Sequence, residues 1–210
     1  MRIGVLGTGD MADALGGQWV RRGHDVMIGG RSGERATALA TRIDATHGTL
    51  AEAAAFGEVL LLAVPYDAAP AALTEAGAIP GRIVLDCTNP VIPGRFTLAT
   101  PGHSAAERFA DQVPEARVVK AFNLCHVDVW RMTPPQFNGR PLAVPLCGDL
   151  DAVDTASSLV AALGCHPINA GTLERAGLLE ATAAFMIGLW FSGEDAQAVL
   201  PPLEYAQGMR

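Results

Sequence analysis

Near the start of the chain, Gly7-Thr8-Gly9-Asp10-Met11-Ala12 has the form G-x-G-x-x-A, directly after a strand-like run and at the head of a helix-like one. In that setting each residue type has a task. Gly7 allows a tight turn, Gly9 lets a pyrophosphate approach the backbone, and Ala12 keeps the helix close to the sheet. The first turn, from Asp10 and Met11 onward, then presents unpaired backbone N–H groups and the positive end of the helix dipole to the phosphates. Asp10 sets a carboxylate beside that charge, so its side chain is expected to point away or to cap the helix.

The end of the second strand selects the nucleotide. A site for NAD ordinarily places an acid there to take the ribose hydroxyls. Here Asp25–Gly29 runs into Gly30-Arg31-Ser32 with no acid, and Arg35 follows one helical turn later. A guanidinium fork and a hydroxyl suit a 2′-phosphate, so Arg31, Ser32 and Arg35 point to NADP(H). The bland reading is two solvated arginines and a serine that caps a helix.

Three further strand ends should face the same crevice. Ala63, Val64 and Pro65 close the run Glu58–Val64 and can pack along the path from adenine to nicotinamide. Asn89 and Pro90 follow Ile83–Thr88, and Asn89 can bond the nicotinamide ribose or amide. Pro90 would stop the strand with or without a ligand. Ala121 and Asn123 end Arg117–Phe122, with Asn123 the best group to fix the carboxamide. A catalytic acid is not fixed by the sequence; His126 and Tyr66, each just past a strand end, are the candidates, while Lys120 lies within a strand.

Other chemistry finds less support. Cysteines stand at 87, 125, 147 and 165, and Cys125-His126 and Cys165-His166 invite zinc, but no CxxC or HxxxH completes a ligand set. No metal is expected, and the cysteines read as structural. No G-x-S-x-G is present, and Ser104-Ala105-Ala106-Glu107 has the spacing of a capping box, not of a nucleophile elbow.

Short apolar runs alternating with helical segments must position these groups, the pattern of a mostly parallel, doubly wound α/β sheet of Rossmann type with helices on both faces. Strands are expected at Ile3–Gly7, Asp25–Gly29, Glu58–Val64, Ile83–Thr88, Arg117–Phe122, Leu142–Cys147 and His166–Asn169. Helices are expected at Asp10–Arg22, Gly33–Arg42, Leu50–Ala55, from Ser104 to Val113, and at Asp151–Leu163 and Leu173–Trp190. Pro90–Gly102 and Met132–Pro141 read as irregular loops. Residues 1–170 form the nucleotide-binding domain and 171–210 a short helical extension packed on it.

The 210 residues are 50% hydrophobic with a net charge of −7, enough for a core and wrong in sign for a nucleic-acid face. Arg2–Leu6 already reads as a strand, leaving no room for a signal peptide. Ala181–Phe191 is shorter than the roughly 20 residues a bilayer span needs. A cytoplasmic protein that meets no membrane is the expectation.

The ordered series Gly7-Thr8-Gly9-Asp10-Met11, Gly30-Arg31-Ser32, Ala63-Val64-Pro65, Asp86-Cys87-Thr88-Asn89-Pro90, Val119-Lys120-Ala121-Phe122-Asn123, Cys147-Gly148-Asp149 and Gly171-Thr172-Leu173-Glu174 with Leu179-Glu180 resembles the F420-dependent NADP oxidoreductases. More distantly it resembles the reductase domain of the STEAP metalloreductases. The resemblance implies a Rossmann domain with a small C-terminal part, hydride transfer between NADPH and a deazaflavin, and a homodimer. It carries 2′-phosphate recognition onto Arg31, Ser32 and Arg35, and nicotinamide contacts onto Val64, Asn89 and Asn123.

The main reading is therefore hydride transfer between NADP(H) and a small planar acceptor, coenzyme F420 or a flavin, over an apolar floor for which Phe122, Met186 and Trp190 are available. Two alternatives stay open: an imine or carbonyl reductase of the pyrroline-5-carboxylate reductase type, and a non-catalytic NADPH sensor. Leu178–Phe191 is apolar on almost every side and so must be buried, with a second copy of the chain as its cover.

Overall fold

Strand and helix alternate from the first residues of the computed structural model, which describes residues 1–100 and 102–199. The first half runs β1 (Arg2–Leu6), α1 (Asp10–Arg21), β2 (Asp25–Gly29), α2 (Gly33–Ile43), β3 (Thr46–Gly48), α3 (Leu50–Phe56), β4 (Val59–Leu62), α4 (Ala69–Ala76) and β5 (Ile83–Asp86). A small hairpin, β6 (Val91–Ile92) and β7 (Thr97–Leu98), precedes α5 (Ala105–Gln112), β8 (Arg117–Lys120) and α6 (Val127–Arg131). The chain then forms β9 (Gln136–Phe137), β10 (Arg140–Pro141), β11 (Ala143–Leu146), α7 (Leu150–Ala162), β12 (His166–Asn169) and α8 (Ala176–Phe191).

Six strands make one parallel sheet in the order β3-β2-β1-β4-β5-β8. That is the doubly wound order, which reverses between β1 and β4 and opens a crevice at the strand C-termini. Side chains divide between its faces with period two. Val59, Leu61, Ile83, Leu85 and Val119 join α1, α2 and α7 in one core; Leu60, Leu62, Val84 and Val118 join α3, α4 and α5 in the other. All of these strand residues are buried, as the unbroken Val/Ile/Leu runs require.

Several expected elements differ. Leu142–Cys147 and His166–Asn169 form strands, but β11 and β12 pair with each other in a separate parallel ribbon. The ribbon reaches the main sheet through one antiparallel bridge, in which Lys120 N donates to Cys147 O (2.9 Å) and Cys147 N to Lys120 O (3.1 Å). The main sheet ends at β8 on one side and on the other at β3, three polar or small residues that no apolar pattern marks. The two loops each hold a hairpin, β6–β7 and β9–β10. The helix at Ser104 opens with the expected capping box: Ser104 Oγ accepts from Glu107 N and Glu107 Oε2 accepts from Ser104 N.

α8 is covered by its own chain along one side only. Only Ala176, Glu180, Ala183 and Ala184 are buried along it, while Leu178, Phe185, Trp190 and Phe191 stand exposed. One chain thus leaves the outer face of this apolar helix uncovered. No helix among the described residues is long and apolar enough to cross a membrane.

Candidate dinucleotide and acceptor site

Three cavities join into one trough across the C-terminal ends of the sheet strands. The first, of about 600 Å³, is lined by Gly7, Thr8, Gly9, Arg31, Ser32 and Arg35 together with Ala63–Pro65. The second, about 710 Å³, shares Gly9 and Ala63–Pro65 and adds Asp10, Met11, Tyr66, Thr88 and Asn89. The third, about 530 Å³, shares Met11 and Asn89 and continues to Phe122, Asn123, Cys125, His126, Ala183, Ile187 and Trp190. Most residues picked from the sequence as cofactor contacts therefore meet in one groove.

The glycine loop is built as its sequence asks. Gly7 has φ +136°, and a Cβ there would lie 2.2 Å from the Ala63 carbonyl oxygen, so no other residue makes the turn from β1. A Cβ at Gly9 would meet no protein atom within 4 Å. Its side-chain position opens onto the trough, at the N-cap of α1, where phosphate oxygens can reach the first-turn N–H groups. Asp10 does not cap this helix. Its carboxylate turns outward to Arg131 Nη2 at 3.0 Å.

At the far end, Ser32 caps α2, its Oγ accepting from Arg35 N at 3.3 Å. Its hydroxyl proton stays available to a phosphate. Arg31 and Arg35 have no carboxylate partner among the described residues, in contrast to Arg2, Arg42 and Arg131. Two unpaired guanidiniums at a helix N-terminus are what an anion needs.

In the middle of the trough, two asparagines lock together. Asn89 Nδ2 donates to Asn123 O at 2.7 Å, and Asn123 Nδ2 donates to Asn89 Oδ1 at 3.0 Å and to Leu179 O at 3.2 Å. Asn123 Oδ1 and Thr88 Oγ1 are buried with no protein donor, which leaves acceptors for a ligand's N–H and O–H groups. These orphaned oxygens, the open side of Gly9 and the free arginines fit an NADP(H) molecule laid along the groove. Pro90 O accepts from Ala99 N and Ala121 N donates to Asp86 O, and neither residue lines any of these three cavities.

The floor beneath is held by a buried ionic cluster that sequence reading missed. Lys120 Nζ lies 2.8 Å from Asp86 Oδ2, 2.9 Å from Glu180 Oε1 and 2.6 Å from the Thr88 carbonyl oxygen. Glu180 also accepts from Ala105 N and Ala106 N, the first two N–H groups of α5. Burial on its own would lower the Lys120 pKa; the two carboxylates outweigh it and hold the ammonium above the ordinary lysine value. The cluster fastens β5, β8, α5 and α8 together directly under Thr88 and Asn123.

The acceptor end is apolar. Phe122 forms its floor, packed edge-on against Trp130 and Trp19, and Ala183, Ile187 and Trp190 of α8 form its wall; Met186 does not line it. The two candidate acids do not converge. Tyr66 packs against Phe109 beside the middle cavity, whereas His126 caps α6 at the mouth of the acceptor cavity, its Nδ1 accepting from Asp128 N. Burial pushes the Cys87 thiol up to about 12 and the Cys125 thiol up to about 11, so both stay protonated near neutral pH. Among the described residues no three His, Cys, Asp or Glu side chains gather to hold a metal ion.

Residues 2–90 match the family model described as NADP oxidoreductase, coenzyme F420-dependent. The F420-dependent NADP reductase of Methanothermobacter marburgensis is 32% identical over 210 residues, covering 90% of this chain and 92% of that one. Rat metalloreductase STEAP3 is 30% identical over 190 residues, but the chain spans only 38% of its length. A solved structure from Arthrobacter sp. FB24, ascribed to the F420-dependent NADP reductases, superposes with a TM-score of 0.82 at 28% identity, covering 91% of this chain and 95% of that one. An imine reductase from Pseudomonas sp. shares the fold at 20% identity and TM-score 0.69, and the chain covers 63% of it.

Proposed function

The chain belongs to the family of coenzyme F420-dependent NADP oxidoreductases, and from that premise we propose that it passes a hydride between NADP(H) and a planar acceptor, coenzyme F420 or a flavin, seated under α8. One observation carries this reading: a single trough runs from two unpaired arginines, past an open glycine and two buried acceptor oxygens, into an apolar cleft.

The dihydronicotinamide of bound NADPH supplies the hydride. Arg31, Arg35 and Ser32 hold the 2′-phosphate, and Thr8, Gly9 and the first turn of α1 take the pyrophosphate. Val64 and Pro65 pack against the middle of the cofactor. Asn123 Oδ1, fixed by the Asn89 pairing, accepts from the carboxamide and sets the ring's orientation. Phe122, Ile187 and Trp190 give the acceptor an apolar slot and keep water from the reacting faces. Transfer between two stacked rings draws its rate from proximity and orientation, so it asks for no side-chain nucleophile. Any proton the acceptor needs enters from the cleft mouth, where His126 stands; Tyr66 lines the middle cavity instead.

We propose further that residues 171–210 extend the nucleotide-binding unit of residues 1–170 and that two copies meet through α8. The exposed Leu178 and Phe185 on an apolar helix support this. Four unpaired cysteines support a reducing, cytoplasmic setting. The test is NADPH oxidation followed by loss of reduced-nicotinamide absorbance with F420, FMN and riboflavin in turn. Turnover with at least one ring acceptor is expected; tight NADPH binding with none would favour a sensor.

A further inference from the structure

Asp10 lines the middle cavity beside Gly9 at the start of α1, and a cation from a distant part of the chain pairs with it. Arg131 Nη2 lies 3.0 Å from Asp10 Oδ1 and 3.8 Å from Asp13 Oδ2, and its Nη1 lies 2.7 Å from Asp128 Oδ1. Asp13 has a second cation in Arg42 at 3.0 Å, whereas Arg131 is the sole cationic partner of Asp10 among the described residues. We propose that Arg131 is the counter-charge that lets the α1 N-terminus accept a pyrophosphate beside Asp10, which makes it a positioning residue for the dinucleotide. The inference rests on the dinucleotide reading above.

The placement of Arg131 is built into the fold. Its neighbour Trp130 is buried against Phe122 with ring centroids 5.3 Å apart. Gln18, buried on α1, donates from Nε2 to the carbonyl oxygens of Trp130 (3.1 Å) and Met132 (2.7 Å), on both sides of Arg131. The helix that carries the glycine loop thus grips the segment that carries the arginine. A pyrophosphate at Gly9 brings two negative charges toward a helix end that already holds Asp10 and Asp13. Uncovered, those carboxylates would cancel the attraction of the helix N-terminus. Covered by Arg131, they leave the first-turn N–H groups free to act.

Calorimetric binding of NADP⁺ and of adenosine 2′-phosphate, which has no pyrophosphate, tests this in wild type, Arg131→Ala, Arg131→Lys, Asp10→Asn and the double variant D10N/R131A. Arg131→Ala is expected to weaken NADP⁺ about tenfold at low ionic strength, with a smaller loss as salt rises. Adenosine 2′-phosphate should bind Arg131→Ala as it binds wild type, which also shows that the variant folds. Arg131→Lys should recover most of the loss, and D10N/R131A should bind NADP⁺ as well as Asp10→Asn does. Equal NADP⁺ affinity in wild type and Arg131→Ala, or an equal loss in the Asp10→Asn background, would overturn the inference. Failure of wild type to bind either ligand would instead bring down the dinucleotide reading, and this inference with it.

Discussion

Lys120 of β8 and Glu180 of α8 meet inside the protein, with Nζ 2.9 Å from Oε1 and neither side chain exposed to solvent. The pair holds the helix that walls the acceptor cleft against the strand end that carries Asn123. With Asp86 it places one cation between two carboxylates, and the N-terminus of α5 offsets the excess negative charge. Lys120→Met leaves two buried carboxylates facing each other and should cost about 3–5 kcal/mol in urea unfolding at neutral pH. Glu180→Gln, which keeps the Lys120–Asp86 bond, should cost less. The reverse order would mean that α5 capping, not the cation, holds the cluster.

The same cluster fixes a sign for the alkaline limb of stability. The Lys120 pKa is higher folded than unfolded, so the folded state keeps its proton longer. Its contribution is complete below the unfolded lysine value, about 10.4, and fades as pH rises through the folded value. Unfolding free energy measured from pH 8 upward should fall above about pH 10 more steeply in wild type than in Lys120→Met. Parallel curves would contradict the charged cluster.

Two glycines of one loop should respond differently to alanine. Gly7→Ala meets the Ala63 carbonyl and a positive φ, and should lose at least about 2 kcal/mol of stability. Gly9→Ala meets no protein atom, so its melting temperature should match wild type while NADPH affinity drops at least about tenfold. Unchanged NADPH binding in Gly9→Ala would move the pyrophosphate off the α1 N-terminus.

Much of this was legible in the sequence where function is local. The turn at Gly7, the open Gly9, the Arg31-Ser32-Arg35 cluster and the Ser104–Glu107 capping box each act within a few residues, and spacing reveals them. Asp86, Lys120 and Glu180 lie far apart in the chain, and only the sheet order brings them together. α6 is too short to show a period, so Arg131 has no local sign of its partnership with Asp10. The apolar character of α8 was plain, but composition could not say that its own chain buries only Ala176, Glu180, Ala183 and Ala184 along it.

Trp190 separates the acceptor from the cofactor end. It lines the acceptor cavity and neither of the other two. Trp190→Ala should raise the acceptor KM about fivefold through the lost aromatic contact, with NADPH affinity unchanged. A shift in NADPH affinity of the same size would place the nicotinamide against α8 instead.

Phe185 reports on assembly. It is exposed on the outer face of α8 and lines no described cavity. Sedimentation should show a dimer for wild type and a monomer for Phe185→Glu. A wild-type monomer at micromolar concentration would leave α8 in need of a different cover.

The most direct test titrates the protein with NADPH and with NADH, in wild type and in Arg31→Ala. Wild type should prefer NADPH, and Arg31→Ala should lose about 10- to 100-fold of NADPH affinity, the worth of one charged hydrogen-bonding contact, with NADH unaffected. Equal affinity for the two nucleotides in wild type, or binding of neither, would contradict the account at its base.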